Sequence, residues 1–309
     1  MPYRMLIDGD LILYKAAHVA QNMYYGIWHS EEGFQQGDPP IAQYKRKGDA
    51  VNFAENDAGD EFVIEPLIEP KEFNVAVHAV NNMMKSIAQT AHDGGLGASG
   101  DNVLYFTDSD GNFRKKLDAV VPYKGNRKKL PVPYWLEEVR SFLQDEFNCV
   151  EAVGEEADDA LGRELTAVTS VGTGQKCVAS LDKDLLTVPG IHLNWDKKTI
   201  FGVGEDQAML NFYTQLLQGD TADNVIGIKG IGPVRAKQAL SFNQFTEKRL
   251  HDVCCSRYLD YVDKNVEQLT TYDAKITFAR KWLNSNANLL WIRRTGREQW
   301  GRDQITLSY

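Results

Sequence analysis

The sequence has few cysteines and lacks any long apolar run, and each shortage excludes a class of protein. Its four cysteines show no C-x-x-C spacing and its six histidines no H-x-x-x-H spacing. Neither a zinc site nor a disulfide framework is therefore expected, and we predict reduced thiols. No apolar segment approaches the ~18 residues of a membrane span. The opening segment, MPYRMLIDGD, lacks the pattern of a signal peptide. We expect a cytoplasmic protein with no membrane partner.

The chain has fewer basic than acidic residues, but many of its basic residues are concentrated in one run. The 309 residues are 43% hydrophobic and 25% charged, an ordinary globular composition, and the net charge is −9. A negative total argues against a nucleic-acid partner. However, residues 114–129 (RKKLDAVVPYKGNRKK) hold seven basic residues against Asp118 alone. A single basic run is usually a solvated face, yet this distribution suits a protein whose excess acid is gathered to hold metal.

Apolar segments that end in an acid alternate with helical segments. YRMLIDG, NVLYFTD and KCVASLDKD are predicted strands. Helical spacing of apolar residues follows the first two, and the short strands GIHLN and KTIFGV separate the third from the next predicted helix. The alternation predicts an α/β fold with a mostly parallel central sheet flanked by helices. Chemistry in such sheets gathers at the carboxyl edge of the strands. The acids at the predicted strand ends are Asp8, Asp108, Asp182 and Asp184.

A glycine-rich stretch, GDTADNVIGIKGIGPVRAKQAL (219–240), places two acids beside a turn. Gly230 and Gly232 flank one apolar residue, and a proline follows where a helix can begin. Backbone N–H groups at such a helix start form a phosphate site. The stretch indicates a helix–hairpin–helix that grips a nucleic-acid backbone without reading bases. A tight turn between two helices is the alternative.

Many carboxylates are predicted to meet at one edge of the sheet. At an effective dielectric of 20, two unit charges 4 Å apart repel by roughly 4 kcal/mol. Divalent cations offset such repulsion, and all-oxygen ligands suit Mg²⁺ or Mn²⁺. Two ions ~3.5–4 Å apart support phosphodiester hydrolysis. Each acid alone could instead cap a helix or turn. The candidates are Asp8, Asp10, Asp108, Glu156, Asp158, Asp159, Asp182, Asp184, Asp220 and Asp223.

Six motifs in order resemble the structure-specific 5′-nucleases, which include flap endonucleases, the 5′-nuclease domain of bacterial DNA polymerase I and phage 5′–3′ exonucleases. They are LIDGDLILYKAA, FTDSDGNFRKKL, PYKGNRKK, EEADDALG, SLDKDLLTV and the stretch 219–240. The chain is most similar to the exonucleases of short-tailed phages. The resemblance implies a PIN-like 5′-nuclease fold: an α/β core over 1–204 with a helical arch at 109–132, and a helical DNA-binding region over 205–309 with a helix–three-turn–helix at 219–240. Residues 22–70 match no motif and are predicted to be an insertion or mobile segment.

The resemblance also implies roles for individual residues, with two Mg²⁺ or Mn²⁺ as cofactors. It places around the first metal Asp8, Asp108, Glu156 and Asp158. It places around the second Asp159, Asp182, Asp184, Asp220 and Asp223. The implied catalytic cations are Lys124 and Arg127. The implied DNA-binding residues are Tyr123, Lys128, Lys129, Lys229, Gly230, Gly232, Arg235 and Lys237. A K⁺ ion is implied at the backbone carbonyls of Val225, Ile228 and Ile231.

The implied activity is 5′–3′ exonuclease and flap endonuclease cleavage near DNA 5′ ends. The partner is DNA with a 5′ end, nick or flap, with an RNA–DNA hybrid as a further candidate. The setting is phage DNA replication, recombination or RNA-primer removal, in the host cytoplasm. The chain departs from the family at Ile226, where relatives often have proline, and the match is faint after about residue 245.

Two other functions remain open from the residues. In a haloacid-dehalogenase-type phosphatase, Asp8 is the nucleophile and Asp10 the general acid. That class needs its closing acidic motif after a strand, whereas residues 205–218 predict a helix before Asp220. In a non-catalytic helix–hairpin–helix DNA-binding protein, the acids would only cap helices and turns.

Overall fold

The computed structural model describes residues 3–29, 39–56, 62–97, 102–108, 112–126, 131–168, 175–241 and 246–301. Its α-helices are α1 (Gly9–Val19), α2 (Lys47–Asn56), α3 (Phe73–Asp93), α4 (Leu136–Glu146), α5 (Ala157–Thr166), α6 (Glu205–Gln218), α7 (Pro233–Ala239), α8 (Glu247–Asn265) and α9 (Tyr272–Leu290). Its strands are β1 (Arg4–Asp8), β2 (Gln21–His29), β3 (Ala42–Tyr44), β4 (Phe62–Pro70), β5 (Val103–Thr107), β6 (Cys149–Ala152), β7 (Lys176–Ala179), β8 (Gly190–Asn194), β9 (Thr199–Val203), β10 (Gly219–Asp220) and β11 (Val225–Ile226).

The central sheet has the strand order β6-β5-β1-β7-β8-β9. All neighbours are parallel except β8 and β9, which are antiparallel. The apolar residues of β1 are buried, as expected of a strand covered on both faces. The predicted mostly parallel sheet is confirmed. Because its inner strands share one direction, their carboxyl ends meet at one edge, where Asp8 is in register with Tyr105.

The chain forms two compact units. One unit comprises Met1–Asp10, Lys85–Arg127 and Phe147–Tyr309, and it contains the central sheet and every predicted site residue in the described ranges. The other comprises Leu11–Met84 and Lys128–Glu146. It holds an antiparallel sheet of order β3-β2-β4 and helix α2, which lie in the segment 22–70 that matches no motif. The division into regions 1–204 and 205–309 stays a prediction.

Helices α6, α8 and α9 bury a second core in the first unit. Phe212 meets Trp291 edge-on at 5.1 Å between ring centroids, and Tyr258 meets Trp282 at 4.8 Å. The Tyr258 hydroxyl donates to the Leu216 carbonyl at 2.7 Å, so its polar end is satisfied. This core fixes where α6 ends and therefore where the glycine-rich stretch begins.

All four cysteines lie in the described ranges and carry free thiols, as predicted. Among the described helices, none combines the length and the apolar character needed to cross a membrane.

Candidate active site

The loop after β7 ties three acids of the carboxyl edge together. Asp8 ends β1, is buried, and accepts a hydrogen bond from the Ser180 hydroxyl at 2.8 Å. The main-chain N–H of Asp182 donates to the same hydroxyl at 3.0 Å. Asp182 Oδ1 in turn accepts the N–H of Asp184 at 2.8 Å. Ser180, which carried no signal in the sequence, links the ends of β1 and β7.

The end of β5 is attached to the start of α5. Asp108 Oδ2 accepts the N–H of Gly154 at 2.9 Å, and the Thr107 hydroxyl accepts the N–H of Ala157 at 3.0 Å. Glu156 is the N-cap residue of α5, but its side chain makes no capping hydrogen bond. These contacts bring Asp108 close to the acidic first turn of α5, as the strand-then-acid pattern predicts.

Glu156 accepts hydrogen bonds from side chains in the segment 112–124. Asn112 Nδ2 lies 2.8 Å from Oε1, the Tyr123 hydroxyl lies 3.0 Å from Oε2, and Lys124 forms an ion pair with it. Burial opposes ionisation of Glu156, but Arg114 and Lys124 outweigh it and hold the pKa of this carboxyl below its usual range. Glu156 is therefore ionised at neutral pH.

Two other acids have raised pKa values. Burial raises the pKa of Asp158 well above its usual range, and the charges of Asp8 and Asp182 add to the effect. Burial, then Asp182 and Asp220, raise the pKa of Asp184 to about 7. These carboxylates repel one another through a partly buried environment, so an added cation is favoured among them.

The acids of the glycine-rich stretch join the same cluster. Asp220 Oδ1 accepts the N–H groups of Ala222 and Asp223, at 2.8 and 3.3 Å, and so pins the turn. Asp220 Oδ2 lies 3.1 Å from the Lys183 ammonium. Burial raises the pKa of Asp220, but Lys183 and the turn N–H groups lower it on balance. The Tyr123 hydroxyl lies 2.9 Å from Asp223 Oδ2.

Gln215, on α6, is a site residue that the sequence reading missed. Its buried amide Nε2 lies 2.9 Å from Asp184 Oδ1 and 3.3 Å from Asp220 Oδ2. It therefore bridges two carboxylates that repel each other. A glutamine in an amphipathic helix has no spacing that marks it as functional.

Asp159 is arranged differently from its neighbours. It has no exposed surface, and its two oxygens accept hydrogen bonds from Arg114 at 2.5 and 2.9 Å. Its role as a ligand of the second metal stays a prediction. Both oxygens are already bonded to a guanidinium, so this geometry favours an indirect role.

The donor chemistry of the cluster fits hard divalent cations, because every candidate ligand is a carboxylate oxygen and two carboxyls have raised pKa values. In the described ranges, no three His, Cys, Asp or Glu side chains are placed to hold one ion together. Lys124 and Lys183 are hydrogen-bonded to carboxylates of the cluster. A metal ion at this site would therefore compete with these ammonium groups for the carboxylates of Glu156 and Asp220.

The described part of the predicted arch, residues 112–126, contains a short 3₁₀ turn (Phe113–Lys116) and a turn at 123–126. Lys124 has a φ of 55°, a left-handed conformation that non-glycine residues rarely adopt and that clusters at functional sites. Its N–H donates to the Asp223 carbonyl at 2.8 Å. The basic turn is thus joined to the glycine-rich stretch. Arg127, Lys128, Lys129 and, in the tail, Arg302 lie outside the described residues.

The glycine-rich stretch forms a hairpin between α6 and α7. Gly219 has a φ of 76°, and a Cβ there would lie 2.3 Å from the Gly227 nitrogen. Only glycine tolerates that approach. The Ile228 carbonyl accepts the N–H of Ile231 at 3.0 Å. The residues predicted to bind DNA in this stretch are all exposed: Lys229, Gly230, Gly232, Arg235 and Lys237. Their contacts with DNA, and a K⁺ ion at Val225, Ile228 and Ile231, stay predictions.

The phosphatase alternative receives no support from the geometry. Asp10, its general acid, lies in the first turn of α1 and accepts the N–H of Thr107 at 3.1 Å, so it joins the start of α1 to the end of β5. Asp220 follows helix α6, as the sequence predicts.

The mostly parallel central sheet and its flanking helices form an α/β fold that is similar to the folds of solved 5′-nucleases. One is the T5 5′-exonuclease with divalent zinc ions bound, 14% identical, with a TM-score of 0.51 over 93% of this chain and 89% of that chain. Another is the bacteriophage T5 flap endonuclease in a complex with DNA and metal ions, also 14% identical, with a TM-score of 0.51 over 93% and 88% of the two chains.

The chain is also similar in sequence to a DNA polymerase I. DNA polymerase I from Rhizobium leguminosarum is 32% identical in an alignment 185 residues long, which covers 53% of this chain and 17% of the polymerase. The chain thus matches a small part of that relative's length. No family model matches the chain. The resemblance to the structure-specific 5′-nucleases predicted from the motifs is confirmed by both comparisons.

Proposed function

We propose that this chain is a divalent-metal-dependent 5′–3′ exonuclease with flap endonuclease-type activity. The observation that carries the proposal is the meeting of acids from β1, β5, β7, α5 and the glycine-rich stretch beside one basic turn. The raised pKa values of Asp158 and Asp184 support a site that receives cations. The shared fold and the relatives named above support the same function.

The cofactors we propose are two Mg²⁺ or Mn²⁺ ions. When bound, such ions activate water and neutralise charge on the phosphodiester being cleaved. Asp8, Asp108, Glu156 and Asp158 would hold the first. Asp182, Asp184, Asp220 and Asp223 would hold the second. Asp159, predicted as a further ligand, would act indirectly, because Arg114 occupies both of its oxygens.

The basic turn would act on the scissile phosphate. Lys124 is partly buried against Glu156, so its charge lies inside the acidic cluster. A phosphate entering the site would take this ammonium as a partner, since the phosphate gains charge in the transition state. Arg127 is proposed to grip phosphate oxygens with its planar fork. Tyr123 would orient Glu156 and Asp223, whose oxygens its hydroxyl already contacts.

The hairpin would hold the duplex backbone beside the cut. Its exposed cations and glycine turn suit phosphate contacts that do not depend on base sequence. The hydrogen bond from Lys124 N–H to the Asp223 carbonyl supports a fixed distance between the DNA-binding hairpin and the site of cleavage. We extend the proposal to K⁺ at the carbonyls of the hairpin, and to the nuclease core and DNA-binding regions predicted at 1–204 and 205–309.

The proposed substrates are DNA with a 5′ end, nick or flap, with an RNA–DNA hybrid as a further candidate. The proposed setting is phage DNA replication, recombination or RNA-primer removal in the host cytoplasm. A test uses 5′-labelled flap, nicked, blunt and hybrid substrates, plus a small phosphomonoester, each with Mg²⁺, Mn²⁺ or EDTA. Metal-dependent release of short products from the 5′ end is expected. Hydrolysis of the phosphomonoester alone, or DNA binding without cleavage, would overturn the proposal.

A further inference from the structure

The last residues of α9 and the segment after it, residues 289–297, pack against the acidic helix α5, although the sequence assigned them no role. They are joined there by Arg114, which lies 175 residues earlier than Leu289. We call residues 289–297 the C-terminal brace. Its contacts are with Asp159, Glu155 and the turn that follows Asp184.

Arg114 is the centre of this arrangement. Only 3% of the residue is exposed, and its guanidinium donors are used in four hydrogen bonds. Two go to Asp159, one to the Leu289 carbonyl at 2.8 Å and one to the Trp291 carbonyl at 2.7 Å. Arg114 also lies 3.5 Å from Glu156 Oε2. One planar fork therefore joins the brace to the acids of α5, a geometry that lysine cannot reproduce.

Arg293 makes a second connection to the same helix. Its main-chain N–H donates to Asp159 Oδ1 at 3.1 Å, and its side chain lies 3.0 Å from buried Glu155. The guanidinium lies 4.0 Å from the centre of the Phe113 ring, and Arg114 lies 4.8 Å from that ring. Asp159 thus receives donors from both the 3₁₀ turn and the brace.

Arg294 carries the connection to the other side of the cluster. It is buried, donates to the Thr187 carbonyl and lies 4.4 Å from the centre of the Trp291 ring. Thr187 ends the short 3₁₀ turn that Asp184 begins. The brace therefore contacts the elements that supply both proposed groups of metal ligands.

We propose that the C-terminal brace positions the carboxylates of the metal centre, and that Arg114 is the positioning residue through which it acts. The proposal rests on the nuclease function proposed above. Arg114 and the brace hold Asp159, and Asp159 fixes the first turn of α5, which carries Glu156 and Asp158. Partners that orient metal ligands typically change metal affinity or activity by roughly 10–100-fold when they are removed.

The first test is Arg114→Lys, which keeps the positive charge beside Asp159 but loses the fork. Metal-free amide exchange should rise together in 157–166 and 289–297. Mn²⁺ affinity, measured by titration, should fall roughly 10–100-fold, with a matching loss of single-turnover rate on a 5′-flap. Binding of the flap in Ca²⁺ should stay within about twofold, because no phosphate contact is changed. Lys264→Gln, on an exposed surface of α8, is the control and should change none of these.

A second pair of variants isolates the brace itself. Arg293→Ala removes the side chain and keeps the N–H that Asp159 accepts, whereas Arg293→Pro also removes that N–H. Mn²⁺ affinity should fall further in the proline variant than in the alanine variant. If Arg114→Lys fails to fold, this pair still tests the brace.

The outcomes separate the two proposals. The proposed role of the brace would be overturned if Arg114→Lys showed normal amide exchange, normal Mn²⁺ affinity and normal cleavage. It would also be overturned if the two Arg293 variants bound Mn²⁺ equally well. Failure of the wild-type protein to cleave any DNA would overturn the nuclease function. Exchange and Mn²⁺ binding, measured without DNA, would still decide whether the brace positions α5.

Discussion

The ammonium group of Lys124 donates a hydrogen bond to the carboxylate of Glu156, which occupies the N-cap position of α5 without capping the helix through its side chain. The contact joins the basic run to the acidic cluster, and it occurs at a residue with a positive φ. Lys124 therefore offsets the charge of the acids until a phosphate or a metal ion competes for one of the partners. Its removal should affect metal and phosphate in opposite directions.

Lys124→Ala should lower the single-turnover cleavage rate by about 10²-fold, because a cation placed for the transition state is lost. Mn²⁺ affinity should rise, since Glu156 no longer has a competing ammonium. Quenched-flow cleavage of a 5′-flap and Mn²⁺ titration measure the two effects. Lys264→Gln, on the exposed side of α8, is the control. An unchanged saturating rate with weaker DNA binding would mean that Lys124 contributes affinity only.

Asp184→Asn should reduce cleavage to near background while the fold and DNA binding survive. The substitution removes a proposed metal ligand and also removes charge that repels the phosphate backbone. DNA binding in EDTA should therefore become tighter. Circular dichroism checks the fold, and fluorescence anisotropy with a labelled flap measures binding. Near-normal turnover in this variant would contradict the two-metal assignment.

The pKa of Asp184, raised to about 7, predicts how stability depends on pH. Between its ordinary value of 3.8 and about 7, the folded protein binds this proton more readily than the unfolded chain. Stability in EDTA should therefore fall as pH rises through this window. Other groups titrate there too, so the measurement is the difference in unfolding free energy between wild type and Asp184→Asn. As pH rises, wild type should lose stability relative to Asp184→Asn. A stability difference that does not change with pH would contradict the raised pKa of Asp184.

The acids at strand ends were predictable because each follows an apolar run, and parallel strands bring their ends to one edge. Asp8, Asp108 and Asp184 needed no contact information. The glycine hairpin was predictable for a similar local reason, since Gly230 and Gly232 flank one apolar residue just before a proline. The close approach of Gly219 to Gly227 became visible only in the structure. The spacing of apolar residues and the choice of turn residues are short-range signals, and both predicted the local structure that is observed.

The supporting residues could not be predicted in the same way. Arg114 lies 45 residues from Asp159, and the carbonyls it contacts lie at the far end of the chain. In the sequence it is one member of a basic run, which usually indicates a solvated face. Arg114 is buried because the end of α9 packs against it, and no sequence pattern near Arg114 indicates where α9 ends. Gln215 was missed for the same reason.

The hairpin should bind duplex backbone electrostatically. Changing Lys229 and Lys237 to alanine should weaken binding equally for unrelated DNA sequences. If each contacts one phosphate, the slope of log K against log salt should fall by about 0.9 per residue removed. Anisotropy titrations over a salt series measure the slope, with Lys264→Ala as the control. Losses that differ between sequences would indicate that this hairpin reads bases.

Gln215 provides the last prediction, because its amide lies between Asp184 and Asp220. Gln215→Leu keeps a similar volume but removes the donor, so two partly buried carboxylates lose a hydrogen bond at a cost of about 1–3 kcal/mol. Metal-free stability should fall, and the cleavage rate should fall roughly 10–100-fold. Gln207→Leu, on the exposed part of the same helix, controls for helix propensity.

Gln215→Glu separates positioning from packing. It adds a third carboxylate beside Asp184 and Asp220, so repulsion should lower metal-free stability further than leucine does. Added Mg²⁺ should then raise the melting temperature more in Gln215→Glu than in wild type, because cations offset the extra charge. Thermal unfolding of both variants with EDTA and with Mg²⁺ measures the change. An equal Mg²⁺ effect in the glutamate and leucine variants would mean that Gln215 lies outside the field of the metal centre and acts only through packing.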